Sequence, residues 1–170
     1  QDLEPCYGDR VIGIRQDVAD GNSVAESFDE ACRVWGGMDG LVINAGLAHV
    51  STLEEMDIEQ FRRLERVNTD GTALLLRAAA HLFGRQCTGG DIVLVSTKNV
   101  FAPGAGFGAY SATKAAAHQL ARVASQEMAA SDIRVNMVAP DAVFSHGERR
   151  SGLWAEVGPD RMRTCGLDEA

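Results

Sequence analysis

Short apolar runs that alternate with helix-length stretches leave a chain few folds to choose from. Here the runs are Arg10–Arg15 (RVIGIR), Asp39–Ile43, Ile92–Val95 and Ile133–Val138. Each has the length of a strand, is rich in Val, Ile or Leu, and precedes residues that suit turns. Helix signals fill the gaps. Ser23 and Glu26 read as an S-x-x-E capping box that opens a helix to about Trp35, and Gly36-Gly37 stops it. Asp57 reads as the cap of a helix carrying Phe61, Leu64 and Val67 at helical spacing, with Asn68 just beyond. Thr72 to Phe83 reads as a largely apolar, buried helix, and from about Gly108 the chain is alanine-rich and helical. This order implies right-handed crossovers and a parallel sheet, so the expected class is α/β. Ligands of such sheets lie at the carboxyl ends of the strands, where Asp17, Asn44, Thr97 and Pro140 all fall. The tail from Ser145 is polar, with a short helix expected near Asp160.

Composition narrows the function classes. The 170 residues suffice for one domain with a core, and 45% hydrophobic with 24% charged content is that of a globular protein. No apolar run reaches the roughly 18 residues that a membrane span needs, and the first residues lack the apolar segment of a signal peptide. A net charge of -8 counts against general nucleic-acid binding, which needs a basic face. Cys6, Cys32, Cys87 and Cys165 are scattered without a C-x-x-C pair, and His49, His81, His118 and His146 show no ligand spacing. No metal is expected, and a reducing cytoplasm is the expected compartment.

The chemistry-bearing stretch is Asp91 to Gln119. Ser96 and Thr97 end its strand, a loop follows, and Tyr110 and Lys114 stand one turn apart on the same face of the next helix. The chain has only two tyrosines and two lysines, so a chance pair at this spacing is uncommon. Two solvated helix residues remain the bland alternative. On the functional reading, an ammonium one turn away lowers the pKa of a phenol that is otherwise a poor base at neutral pH. Asn44-Ala45-Gly46 is either an ordinary strand-ending turn or a small-residue turn that lets the backbone approach a flat ligand. Asn68 either satisfies nearby backbone groups or belongs to the site. Gly104, Gly106 and Gly108 read as a flexible wall of a substrate pocket, since their loop is too long for a phosphate-binding strand–turn–helix.

Together these residues resemble the short-chain dehydrogenase/reductase family, from about Val11 to Val143. Asp39 to Gly46 is similar to its D-x-L-V-N-N-A-G, with Ile43 in place of the first Asn. Asn68 matches the helix asparagine, and Tyr110 to Lys114 matches Y-x-x-x-K. Thr97 stands where a serine is usual, with Ser96 as the fallback. Ile133 to Asn136 with Pro140 resembles the sixth strand and its P-G turn, Asp141 replacing Gly. The resemblance implies a Rossmann-like doubly wound parallel sheet and catalytic roles for Asn68, Thr97, Tyr110 and Lys114. It implies cofactor contacts at Asp17, Val18, Asn44, Ala45, Gly46, Val67, Tyr110, Lys114, Pro140 and Val143. The expected cofactor is NAD, with NADP as the alternative. The expected activity is hydride transfer to or from a small alcohol or carbonyl substrate. A non-catalytic module of the same fold is the alternative.

A narrower resemblance, carried by S-T-K-N-V-F-A-P-G, V-A-P-D-A-V-F and S-G-L-W-A-E-V-G-P-D-R, is to the dehydrogenase part of bifunctional rhamnulose-1-phosphate aldolase/short-chain dehydrogenases. It implies lactaldehyde or a related hydroxy-aldehyde as substrate. The family's first two strands, its glycine-rich turn and its last strand have no counterpart in residues 1–170, so the chain is expected to be a partial domain. RVIGIR would then lack a neighbour or move beside residues 40–44, whose strand would otherwise present an open edge. Such a chain is expected to be inactive by itself. The alanine- and leucine-rich segments 72–83 and 109–124 suggest, with the resemblance, a homodimer or homotetramer.

Overall fold

The computed structural model describes residues 4–141 and Val143. Three strands form one parallel sheet in the order β1-β2-β3, where β1 is Gly40–Ile43, β2 is Gly90–Val95 and β3 is Ile133–Val138. The helices are α1 (Glu4–Tyr7), α2 (Gly21–Trp35), α3 (Ile58–Leu64), α4 (Gly71–Gln86) and α5 (Gly108–Glu127). Register places Ile43 beside Leu94 and Ile92 beside Val135. Side chains alternate across a strand, so Ile43, Ile92, Leu94, Ile133 and Val135 share one face and are buried. They pack in one cluster with Leu75, Ala79 and Phe83 of α4 and Ala117, Ala121 and Ala124 of α5. None of the described helices is long and apolar enough to cross a membrane.

Two local signals act as their residue types dictate. Asp57 caps α3 by accepting from the Glu59 amide, and Gly36 ends α2 in the left-handed region at φ 79°. Gln86 ties the end of α4 to the entry of β1: its Oε1 accepts from Met38 N at 3.0 Å, and its Nε2 donates to Met38 O at 2.7 Å.

Three expectations are corrected. The Ser23–Glu26 capping box does not form. Asp20 takes the cap of α2 instead, accepting from the amides of Asn22 and Ser23, while Ser23 Oγ accepts from Asp17 N at 2.8 Å. Asn68 lies inside the helix rather than just beyond it. Residues Glu65–Asp70 form a π-helical turn that joins α3 to α4, so the chain is helical from Ile58 to Gln86. Nothing in ERVNTD interrupts a helix, and a one-turn widening keeps the backbone bonded. Third, RVIGIR forms no strand, because among the described residues no strand lies beside it. β1 is left with β2 as its one described partner, and Val42 on the opposite face is 66% exposed. The helix expected near Asp160 lies outside the described residues.

Candidate active site

The carboxyl ends of the three strands open onto a cavity of about 390 Å³. Its walls come from each crossover in turn. The turn after β1 supplies Asn44, Gly46, Leu47 and Ala48, and the end of β2 supplies Val95 to Asn99. Phe107, Tyr110 and Lys114 come from the entry and first turns of α5, and Pro140, Asp141 and Val143 follow β3. Of the residues singled out from sequence, Asn44, Gly46, Thr97, Tyr110, Lys114, Pro140 and Val143 therefore meet at one place. Ala45 is exposed outside the lining, Val67 is half-buried on the π turn, and Asp17 and Val18 stand away from the cavity. Val18 packs over Gly71, where a Cβ would come within 2.9 Å of Val18 Cγ2, so that crossing needs a bare backbone.

Lys114 is only 6% exposed. Its Nζ donates to the carbonyl of Val95, the last residue of β2, at 2.7 Å. Burial holds this ammonium below the usual lysine range. Tyr110 sits one turn earlier, its ring edge-on to Phe107 at 6.4 Å between centroids. Burial pushes its phenol above the ordinary value, and a hydrogen bond with the Thr97 hydroxyl pulls it part of the way back. The net shift is upward, contrary to the depression expected from Lys114. Removing the ring from water disfavours the phenolate more than the neighbouring groups favour it.

The strand tip separates the two candidate hydroxyls. Thr97 turns into the site: besides Tyr110, its Oγ1 meets Asn99 N at 3.3 Å. Ser96 Oγ pairs instead with His118 Nδ1 at 3.0 Å. Burial, then Arg122, keeps the His118 imidazole below its ordinary pKa, and its ring sits edge-on to Phe101.

Asn68 lies beneath this layer, 1% exposed and outside the cavity lining. Its Oδ1 accepts from Leu47 N at 2.8 Å, and its Nδ2 donates to Leu47 O at 2.9 Å and to Thr113 Oγ1 at 3.0 Å. Thr113 in turn donates to Tyr110 O at 2.9 Å. One side chain thus pins the loop after β1 to the first turns of α5. Gly46 closes the arrangement, since a Cβ there would stand 3.3 Å from Asn68 Oδ1 and 3.9 Å from Lys114 Nζ.

Sequence reading missed several members of the site. Leu47 and Ala48 lie just past the N-A-G turn and carry no signal of their own. Lys98 and Asp141 form an ion pair at 3.0 Å that bridges the ends of β2 and β3. Asn99 lines the cavity as well. Of the glycine-bearing loop, Phe107 supplies the wall, while Gly104, Gly106 and Gly108 lie outside it. Among the described residues, no three His, Cys, Asp or Glu side chains cluster as metal ligands would.

The sequence matches the family model for short chain dehydrogenase over residues 1–154. It is 33% identical over 168 residues to an uncharacterized oxidoreductase, YuxG, of Bacillus subtilis, covering 98% of this chain and 24% of that protein. The crystal structure of a short-chain dehydrogenase from Streptomyces avermitilis superposes with a TM-score of 0.77 at 32% identity, covering 95% of this chain and 62% of that one. A 3-ketoacyl-(acyl-carrier-protein) reductase from Brucella melitensis, complexed with NADH, superposes with a TM-score of 0.75 at 27% identity, covering 79% and 57%. The chain spans between 24% and 64% of the length of such curated relatives.

Proposed function

The chain belongs to the short-chain dehydrogenase family, and from that premise we propose that it carries the catalytic part of an NAD(P)-dependent oxidoreductase acting on a small alcohol or carbonyl compound. One observation carries the reading. Tyr110, Thr97 and Lys114 converge on a single cavity at the strand ends, with the ammonium anchored on Val95 O. A non-catalytic module would leave a buried ammonium and two hydroxyls facing that cavity without a task.

The residues present fit the nicotinamide and ribose of such a cofactor. Gly46 keeps the main chain bare beside Lys114 Nζ, and the exposed Asn44–Gly46 turn allows close approach of a flat ring. Asn44, Gly46, Lys114, Pro140 and Val143 would hold this end, with Ala45 and Val67 behind it and Asp17 and Val18 towards the adenine. When bound, the nicotinamide would supply the hydride chemistry, as acceptor of the carbinol hydrogen and its electron pair in alcohol oxidation. Tyr110 takes the hydroxyl proton as the C=O bond forms, and returns it in the reverse direction. Thr97 holds the reacting oxygen against the phenol. Lys114 offers its remaining donors to the ribose and favours the phenolate. Asn68 fixes the turn and the first helical turns relative to each other, and the second lone pair of its Oδ1 is where a water on the way to Lys114 would be held.

The substrate we propose is lactaldehyde or a related hydroxy-aldehyde. The similarity of the 96–104, 138–144 and 151–161 segments to bifunctional rhamnulose-1-phosphate aldolase/short-chain dehydrogenases supports this. We place the protein in the cytoplasm on its scattered cysteines. We also place it in a homodimer or homotetramer, because Leu120 and Val123 on the outer face of α5 are 37% and 43% exposed. Sedimentation of the intact protein as a monomer would remove the assembly. Nicotinamide absorbance, followed with NAD or NADP and propane-1,2-diol, tests the activity. No turnover by the intact protein with either cofactor on any short alcohol would remove the oxidoreductase reading.

A further inference from the structure

The proton chemistry leaves one part of the cavity wall without a task. Phe107 is half-buried and lines the cavity at the entry of α5, its ring edge-on to that of Tyr110 at 6.4 Å between centroids. Leu47 and Ala48, from the loop after β1, line the same cavity. That loop is bound to the Phe107 backbone: Ser51 pairs with Phe107 in a parallel bridge, and Ser51 N donates to Gly106 O at 2.9 Å. The side chains of Leu47, Ala48 and Phe107 carry no donor or acceptor. The Phe107 ring is a fixed wall. Gly106, at φ 80°, turns the chain into Phe107, and Phe107 N donates to Gly104 O at 3.2 Å. A Cβ on Gly104 would already touch Phe107 Cδ2 at 3.5 Å, so the turn backs the ring closely. A side chain backed in this way can set selectivity.

We propose that Phe107 is a specificity-determining residue, its ring receiving, with Leu47 and Ala48, an alkyl group borne on the carbon next to the reacting one. This rests on the oxidoreductase reading and sharpens it: the site prefers methyl-bearing diols and hydroxy-aldehydes to their unsubstituted homologues. The contact between the Phe107 and Tyr110 rings puts the apolar wall beside the phenol that handles the substrate proton. A methyl group moved from water onto such a wall gains about fourfold by transfer alone, and roughly tenfold in a fitted pocket.

The test compares propane-1,2-diol with ethane-1,2-diol, which differ by one methyl group. In the intact protein the ratio of kcat/KM for the first over the second should be about fourfold to tenfold, and should fall by at least about threefold in Phe107→Ala. A wild-type ratio near unity, or a smaller fall, overturns the proposal while leaving the oxidoreductase reading standing. A second measurement needs neither turnover nor a folded variant. It uses carbon-13 spectra of the wild type with NADH or NADPH, neither of which can accept a hydride. The Phe107 ring resonances should move further on titration with propane-1,2-diol than with ethane-1,2-diol. If no diol is turned over but the methyl-bearing one moves these resonances further, the oxidoreductase reading falls and the alkyl recognition by Phe107 holds. Equal movement with both diols, or none, overturns the recognition.

Discussion

Replacing Asn68 by alanine should cost more stability than any single polar substitution on the helix surfaces, and the structure sets the size. The change removes two hydrogen bonds to Leu47 and one to Thr113. Thr113 keeps its bond to Tyr110 O, so its hydroxyl is not orphaned. The Leu47 amide and carbonyl lose the partners that the structure gives them. An unpaired buried group costs about 1–3 kcal/mol; Leu47 is half-buried, so the lower end applies, about 1 kcal/mol for each of the two. The lost side-chain volume adds about 1 kcal/mol, and alanine's better helix propensity returns roughly 0.5 kcal/mol. The net is about 2–3 kcal/mol. With a urea slope of about 1–3 kcal/mol/M, the midpoint of unfolding should fall by about 1–2 M. Asn68→Asp separates the hydrogen bonds from the volume. One carboxylate oxygen still accepts from Leu47 N, but the other faces the Leu47 carbonyl where a donor stood. That variant should be destabilised at neutral pH and recover as acid protonates the carboxyl into a donor. An Asn68→Ala midpoint within about 0.3 M of the wild type would refute the reasoning.

The remaining predictions concern the cavity. Tyr110→Phe keeps the ring and removes the proton carrier, so kcat should drop by about 10²–10⁴ with cofactor affinity nearly unchanged; steady-state rates and a binding titration check both halves. Thr97→Ser should retain turnover and Thr97→Ala should lose it, whereas Ser96→Ala, which touches only the His118 pair, should leave kcat within a few-fold; the reverse ranking would assign the role to Ser96. Burial lowers the native pKa of Lys114 from its ordinary 10.5, so between the two values the unfolded chain binds the extra proton and stability rises with pH. Urea midpoints should climb through that window, and Lys114→Met should flatten the climb. The raised phenol of Tyr110 acts in the opposite direction only above pH 10.0.

What the sequence made legible was whatever one residue type decides locally. Three of four apolar runs became strands, since Ile92, Leu94, Ile133 and Val135 alternate as a half-covered sheet requires. Gly36 and Asp57 cap as their chemistry predicts. The four-residue spacing put Tyr110 and Lys114 on one cavity wall. RVIGIR failed because a strand is defined by its partner, and periodicity says nothing about whether a partner is present. The cap of α2 was missed because the helix starts at Gly21, ahead of Ser23; Asp20 lies one residue outside the first turn and accepts from the amides of Asn22 and Ser23. Asn99, the Ser96–His118 pair and the Lys98–Asp141 bridge depend on the backbone path of the β2–α5 loop, which no short-range pattern encodes.

Helix α5 joins the core to the chemistry, and its composition explains how. Ala117, Ala121 and Ala124 face the sheet, the first two with no exposed surface. Methyl side chains allow the helix axis to lie closer to the strands than leucines would. Only at that separation does Lys114, one turn before Ala117 and next to the buried Thr113, reach back to the Val95 carbonyl at 2.7 Å. The same separation brings Ser96 within 3.0 Å of His118, one turn later along the helix. A larger side chain at Ala117 would have to lift α5 from β2, since packed interiors hold no spare volume. Both anchors lie within one turn of that position and would lengthen together. The alanine content of the segment, which at the level of sequence suggests close helix–helix contact, therefore has a nearer cause. It sets the height of Tyr110 and Lys114 above the strand ends, and with it the width of the cavity into which they point.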